Sequence, residues 1–127
     1  MKIIFLLILI FSNFLFPVSS FASHVELEPC IEVGHCVKEK WEVKNIDNPF
    51  EKIKSIIETT PRTEIVEVDE DYLHAEVTSK WMKYVDDLEV SFLPESNILI
   101  IRSESRVGES DLGVNQKRVN LLNSKMF

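Results

Sequence analysis

Two largely apolar segments, residues 88–93 and 98–103, lie on either side of Pro94-Glu95-Ser96-Asn97. A four-residue turn that sets Leu93 opposite Ile98 predicts an antiparallel hairpin. In it Leu88, Val90 and Phe92 share a face with Leu99 and Ile101, a continuous apolar surface fit for a core. The reverse face is apolar near the turn, through Leu93, Ile98 and Ile100, and charged at the open end. There Glu89 falls opposite Arg102 and Asp87 opposite Glu104, with Arg102 and Arg106 as diagonal neighbours of Asp87. A one-residue slip would scatter both sets, so this register is a specific expectation. Upstream, residues 63–68 and 72–81 are rich in β-branched and aromatic side chains and flank the turn Asp69-Glu70-Asp71. The second segment predicts Leu73, Ala75, Val77, Ser79 and Trp81 on one face and Tyr72, His74, Glu76, Thr78 and Lys80 on the other. If that strand lies at the edge of the sheet, it could take a partner by strand addition.

Helical spacing appears twice. Phe50, Ile53, Ile56 and Ile57 form one stripe after Asn48-Pro49, where Asn48 can cap and Pro49 suits the first turn, and Thr59, Thr60 and Pro61 stop the helix. Val119, Leu122 and Met126 form another from about Asn115, following a loop bracketed by Gly108 and Gly113. Residues 24–44 lack a clean period and read as an extended or irregular arm docked through Trp41 and Val43. The order predicts an α+β fold: a small single domain whose antiparallel sheet has a helix before and a helix after the strands.

The first residues are different in kind. Lys2 precedes a run of apolar residues over 3–16, interrupted only by Ser12 and Asn13, and Pro17 and small residues follow. This is the pattern of a cleavable signal peptide ending at Ala22. The run is short for a spanning helix, which needs about 20 apolar residues. Pro29 before Cys30 does not suit a lipidation signal. The expected organisation is a signal peptide over residues 1–22, an N-terminal arm with Cys30 and Cys36 over 23–46, and the α+β domain over 47–127. Export to the periplasm or the extracellular space follows, with no stable membrane span after cleavage.

Removing the leader changes the charge. All 21 acidic residues remain, against 13 of the 14 Lys and Arg, a formal charge of about −8. A nucleic-acid partner needs a basic face and is not expected. The two cysteines of an exported chain favour one small disulfide loop. The alternatives are free thiols or a metal site drawing on Cys30, His35 and Cys36, in which adjacent ligands are awkward and a fourth is lacking. No metal or cofactor is expected. Neighbouring acids such as Asp86 and Asp87 point to opposite faces of a strand and cannot flank one bond. Ser103, Ser105 and Ser110 have no histidine nearby, His24, His35 and His74 are scattered, and no phosphate loop or hydrolase motif occurs. The residues lean away from an enzyme.

Val85-Asp86-Asp87-Leu88-Glu89-Val90 and the stretch Ile101-Arg102-Ser103-Glu104-Ser105-Arg106-Val107-Gly108-Glu109-Ser110-Asp111-Leu112-Gly113-Val114-Asn115-Gln116-Lys117-Arg118-Val119 resemble the signature of the family called domain of unknown function 1499. Cys30, and Cys36-Val37, are similar to that family's N-terminal cysteine motif, although its usual flanks are missing around Cys36. The resemblance spans most of the mature chain. It implies domain boundaries and brings no reaction, cofactor or ligand.

Arg102, Arg106, Asp111, Asn115 and Arg118 are the candidate binding residues. Glycines that expose amides, a helix start and planar guanidinium groups could together form an anion pocket. Asp86, Asp87, Glu89 and Glu104 can instead neutralise the same arginines and tie the hairpin's open end to the last helix, with Asp111 or Asn115 as a cap. Three functions stay open: a cell-envelope binding or accessory module contacting an envelope protein or a small anionic ligand; a structural or assembly protein stabilised by the arginines; and a hydrolase with a dispersed site.

Overall fold

A computed structural model describes residues 24–127; the leader expected over residues 1–22 lies outside the described residues. Five antiparallel strands form one sheet in the order β1-β5-β4-β3-β2. They are β1 (Cys36–Glu42), β2 (Thr63–Val68), β3 (Tyr72–Thr78), β4 (Val85–Leu93) and β5 (Ile98–Ser105). Helix α1 (Pro49–Glu58) follows β1, and α2 (Val114–Met126) follows β5. This is the expected α+β architecture, with one strand ahead of the first helix.

The β4–β5 hairpin has the predicted register. Leu93 pairs with Ile98, Glu89 with Arg102 and Asp87 with Glu104. The face predicted to be apolar carries the core: Leu88, Val90, Leu99 and Ile101 are fully buried with Leu73 and Ala75 of β3. Both helices cover that face. Helix α1 contributes Phe50, Ile53 and Ile57, and α2 contributes Val119, Leu122 and Met126. Asn97 closes the hairpin turn with φ 52°, a conformation asparagine tolerates.

Four expectations are corrected. The arm contains a true edge strand: β1 pairs with β5 along its whole length, Cys36 opposite Glu104 and Glu42 opposite Ile98. Its alternation is masked because Glu39 shares the inward face with Trp41. The carboxylate there accepts from Trp41 Nε1 at 2.8 Å and from Gln116 Nε2 of α2 at 3.0 Å. Asn48 does not cap α1 through its side chain. It stands at φ 47°, and its carbonyl accepts from Lys52 N. Strand β3 stops at Thr78, and Trp81, expected on the inner face, is 83 % exposed in the β3–β4 loop. Finally, β3 lies between β2 and β4, so it offers no edge for strand addition.

The other face of the sheet is not simply solvated. The segment before β1 crosses it. Leu27 is buried, its carbonyl accepts from Lys38 Nζ, and the Val25 carbonyl accepts from the buried Ser91 Oγ. Cys30 and Cys36 form a disulfide, which closes off the metal alternative at these sulfurs. No helix among the described residues is long and apolar enough to cross a membrane.

Candidate functional site

Strand alternation sends Asp86 and Asp87 to opposite faces of the sheet. The arginines follow them. On the helix-covered face, Arg118 reaches from α2 to Asp86 Oδ2 at 2.8 Å. Its other terminal nitrogen donates to Ser103 Oγ and to Asn115 Oδ1. On the outer face, Arg106 makes two contacts with Asp87, at 2.9 and 2.8 Å, and one with Glu76 at 2.8 Å. Arg102 lies on that face too, between Glu89 and Glu104. The five candidate binding residues therefore do not converge. Arg102 and Arg106 sit on one side of the sheet, and Asp111, Asn115 and Arg118 on the other. All three guanidinium groups end on protein carboxylates: the four acids singled out in the sequence, and Glu76.

The outer network extends the sheet's ladder sideways. His74 Nε2 lies 2.7 Å from Asp87 Oδ1, and the Tyr72 hydroxyl donates to Glu89 at 2.9 Å. Hydrogen bonds from Arg106 hold the Asp87 carboxyl below its usual range, with His74 assisting against the opposing effect of burial. Burial, and then the hydrogen bond to Glu89, push the Tyr72 phenol above its ordinary value. Arg106's own hydrogen bonds to Asp87 and then Glu76 raise it further into the charged range.

The inner network centres on Asn115, which is fully buried. Its amide nitrogen donates to Ser105 Oγ at 2.8 Å, to Asp111 Oδ2 at 2.7 Å and to the His35 carbonyl at 3.1 Å. Its amide oxygen accepts from Ser103 and Arg118. Asp111 also accepts the backbone N–H of Gly113 and of Asn115, bracing the start of α2 from two residues before its N-cap Gly113. Burial would raise the Asp111 carboxyl, but the Asn115 side chain and these amides hold it below the usual range.

Sequence reasoning missed the contact between the cysteine loop and the signature loop. Gly34 O accepts from Asp111 N, His35 O accepts from Ser105 N, and His35 Nδ1 meets the Gly108 carbonyl. A side chain at Gly34 would drive its Cβ into the Glu109 carbonyl, which is the reason for a glycine there. The signal was a Gly-His pair enclosed by two cysteines.

On the helix side, ahead of the start of α2, a cleft of about 550 Å³ remains. Asp86 and Ser105, paired across β4 and β5, lie in its wall. Ser79 and Tyr84 approach from the β3–β4 loop, and Val107, Gly108, Ser110, Asp111, Leu112 and Val114 from the signature loop. Tyr84 and Val107 are about half exposed, and Leu112 is 87 % exposed. Leu112 also stands at φ 54°, a strained conformation for a large side chain. Neither the strain nor the cleft could be read from spacing, because its walls come from two loops joined only by the strand order. Among the described residues no cluster of His, Cys, Asp and Glu is arranged to hold a metal ion.

Fold and site together define a disulfide-linked α+β domain whose two polar networks brace opposite faces of an antiparallel sheet. Residues 26–126 match the sequence profile described as protein of unknown function (DUF1499), and the chain belongs to that family. None of the curated proteins compared with the chain matches it.

Proposed function

We propose that the domain is an exported, non-catalytic binding module of the cell envelope, and that its ligand enters the cleft between the β3–β4 loop and the signature loop. One observation carries the reading. The signature stretch leaves a cleft of about 550 Å³ rimmed by exposed Tyr84, Val107, Leu112 and Val114, a size within the usual range for small-molecule sites. Backbone strain at Leu112 adds support, since it holds an apolar side chain in solvent. The disulfide supports an oxidising compartment. A hydrolytic role is less well supported. The cleft's lining contains serines and aspartates but no histidine, and Ser105 Oγ accepts from Asn115 instead of facing a base.

The arginines serve a second, stabilising function. Their closed pairs support the structural reading of Arg102, Arg106 and Arg118 and leave little for a small anion. The two roles separate in one experiment. N-phenyl-1-naphthylamine, a neutral apolar fluorophore, is titrated into wild-type protein and into Leu112→Asp, Val107→Asp and Arg106→Ala. Saturable binding should be lost in the first two and kept in the third. An absence of binding, or binding indifferent to Leu112 and Val107, removes the cleft as the site.

A further inference from the structure

The cleft is apolar at its rim and acidic at its base. Asp86 is only 7 % exposed. Its Oδ2 is held by Arg118, but its Oδ1 accepts no hydrogen bond among the described residues. That oxygen is not among the fully buried polar atoms left without a partner, and Asp86 belongs to the lining of the cleft. A nearly buried carboxylate oxygen with no hydrogen-bond donor, on a residue that lines a cavity, is an acceptor a ligand can satisfy.

The charges in the cleft's own lining have one sign. The charged residues lining the cleft are Asp86 and Asp111. Arg118 stands behind Asp86, bonded to its far oxygen. Arg106 is engaged with Asp87 and Glu76 on the opposite face, and Lys83 lines a separate depression with Arg62, Glu64 and Glu76. The Ser79, Ser105 and Ser110 hydroxyls can accept further N–H groups. An anion brought here would face two carboxylates, with the nearby Arg118 already paired with Asp86. An alcohol would satisfy Asp86 Oδ1 without charge assistance. An ammonium group would satisfy it with charge assistance.

We propose that the cleft takes a small amphiphile with an apolar body and a protonated amine head, Asp86 Oδ1 receiving the head and Tyr84, Val107, Leu112 and Val114 covering the body. This rests on the binding reading above and gives it a ligand chemistry that the sequence, with its arginines, pointed away from.

The test uses the intact mature protein and three probes of one length: octylammonium, octanol and octanoate. Each is titrated by calorimetry in about 0.5 M NaCl, which screens the protein's overall negative charge more than a buried contact. Octylammonium should bind about tenfold or more tightly than octanol, and octanoate weakest. Asp86→Asn should bring octylammonium down to the affinity of octanol and leave octanol unchanged. That variant also deprives Arg118 of its partner and could unfold. Wild-type protein therefore supplies a second measurement, nuclear Overhauser contacts from the probe's first methylene to Ser105 and Asp86. Equal binding of octylammonium and octanol, a preference for octanoate, or a head group far from Asp86 overturns the ammonium inference and leaves the cleft standing. Failure of all three probes to bind overturns both.

Discussion

Asn115 does more with one side chain than any other residue of the domain. Both ends of its amide are used while the side chain is fully buried, so truncation leaves Ser103, Ser105, the His35 carbonyl and Asp111 short of partners. Asn115→Ala should lower stability by about 3 kcal/mol in chemical denaturation. Asn115→Asp should do worse, because a carboxylate would replace a donor facing Asp111. The arginines divide in the same way. Arg118 and Asp86 are largely buried, so Arg118→Met should cost about 3 kcal/mol. Arg106 is exposed and its partners remain hydrated, so Arg106→Met should cost clearly less. Equal losses would contradict this division. Leu112→Gly relieves a positive φ but loosens the unfolded chain, so stability should stay within about 1 kcal/mol of wild type while fluorophore binding falls.

At the scale of elements, the disulfide loop and the signature loop are one unit despite their distance in the chain. Gly34→Ala should displace the Glu109 backbone, and hydrogen exchange should quicken at Asp111 and Ser105, whose amides bond to Gly34 and His35. Replacing both cysteines with serine should loosen the same amides while β4 stays protected. Unchanged exchange at Asp111 and Ser105 in both variants would show that the cysteine loop does not hold the signature loop. The elements also mark where sequence reading succeeds. The β4–β5 register was legible because a short turn and a two-residue period leave one pairing that keeps Leu88, Val90, Leu99 and Ile101 together. Strand β1 was not, because Glu39 occupies an inward position under the edge of α2 and breaks the period. The pairing of Arg102 with Glu89 could be read from the register. The partner of Arg118 could not, because a helix's rotation over a sheet is set by packing and not by its own spacing. The cleft was invisible for a related reason: residues 79–84 and 106–113 meet only because β3, β4 and β5 are neighbours.

Acidic residues outnumber basic ones in the whole molecule, and two of the carboxylates are held charged by the fold, which sets its response to pH. Asp87 and Asp111 are held below the ordinary carboxylate range in the folded state. Their contribution is fully present above that range and is lost as pH falls through it and below. Stability should therefore be level from pH 7 to about pH 5 and decline below about pH 4. Asp87→Asn should make that decline shallower. Tyr72 behaves in the opposite sense. Its raised phenol favours the fold until the unfolded chain's tyrosine ionises, so stability should fall above about pH 10, and Tyr72→Phe should remove that limb. Thermal melts across pH 2–11 would check both ends, and a profile with no acid limb would contradict the assignment for Asp87 and Asp111.

Two consecutive aspartates in β4 answer to arginines on opposite sides of the sheet. That arrangement acts as a parity check on the strand. One residue inserted just after Asp87 would leave both aspartates in place but turn Leu88 and Val90 outward; inserted just before Asp86, it would exchange the aspartates between their arginines. Two inserted residues would restore the alternation at either point. Changes of even length should therefore be tolerated in β4 far better than single ones.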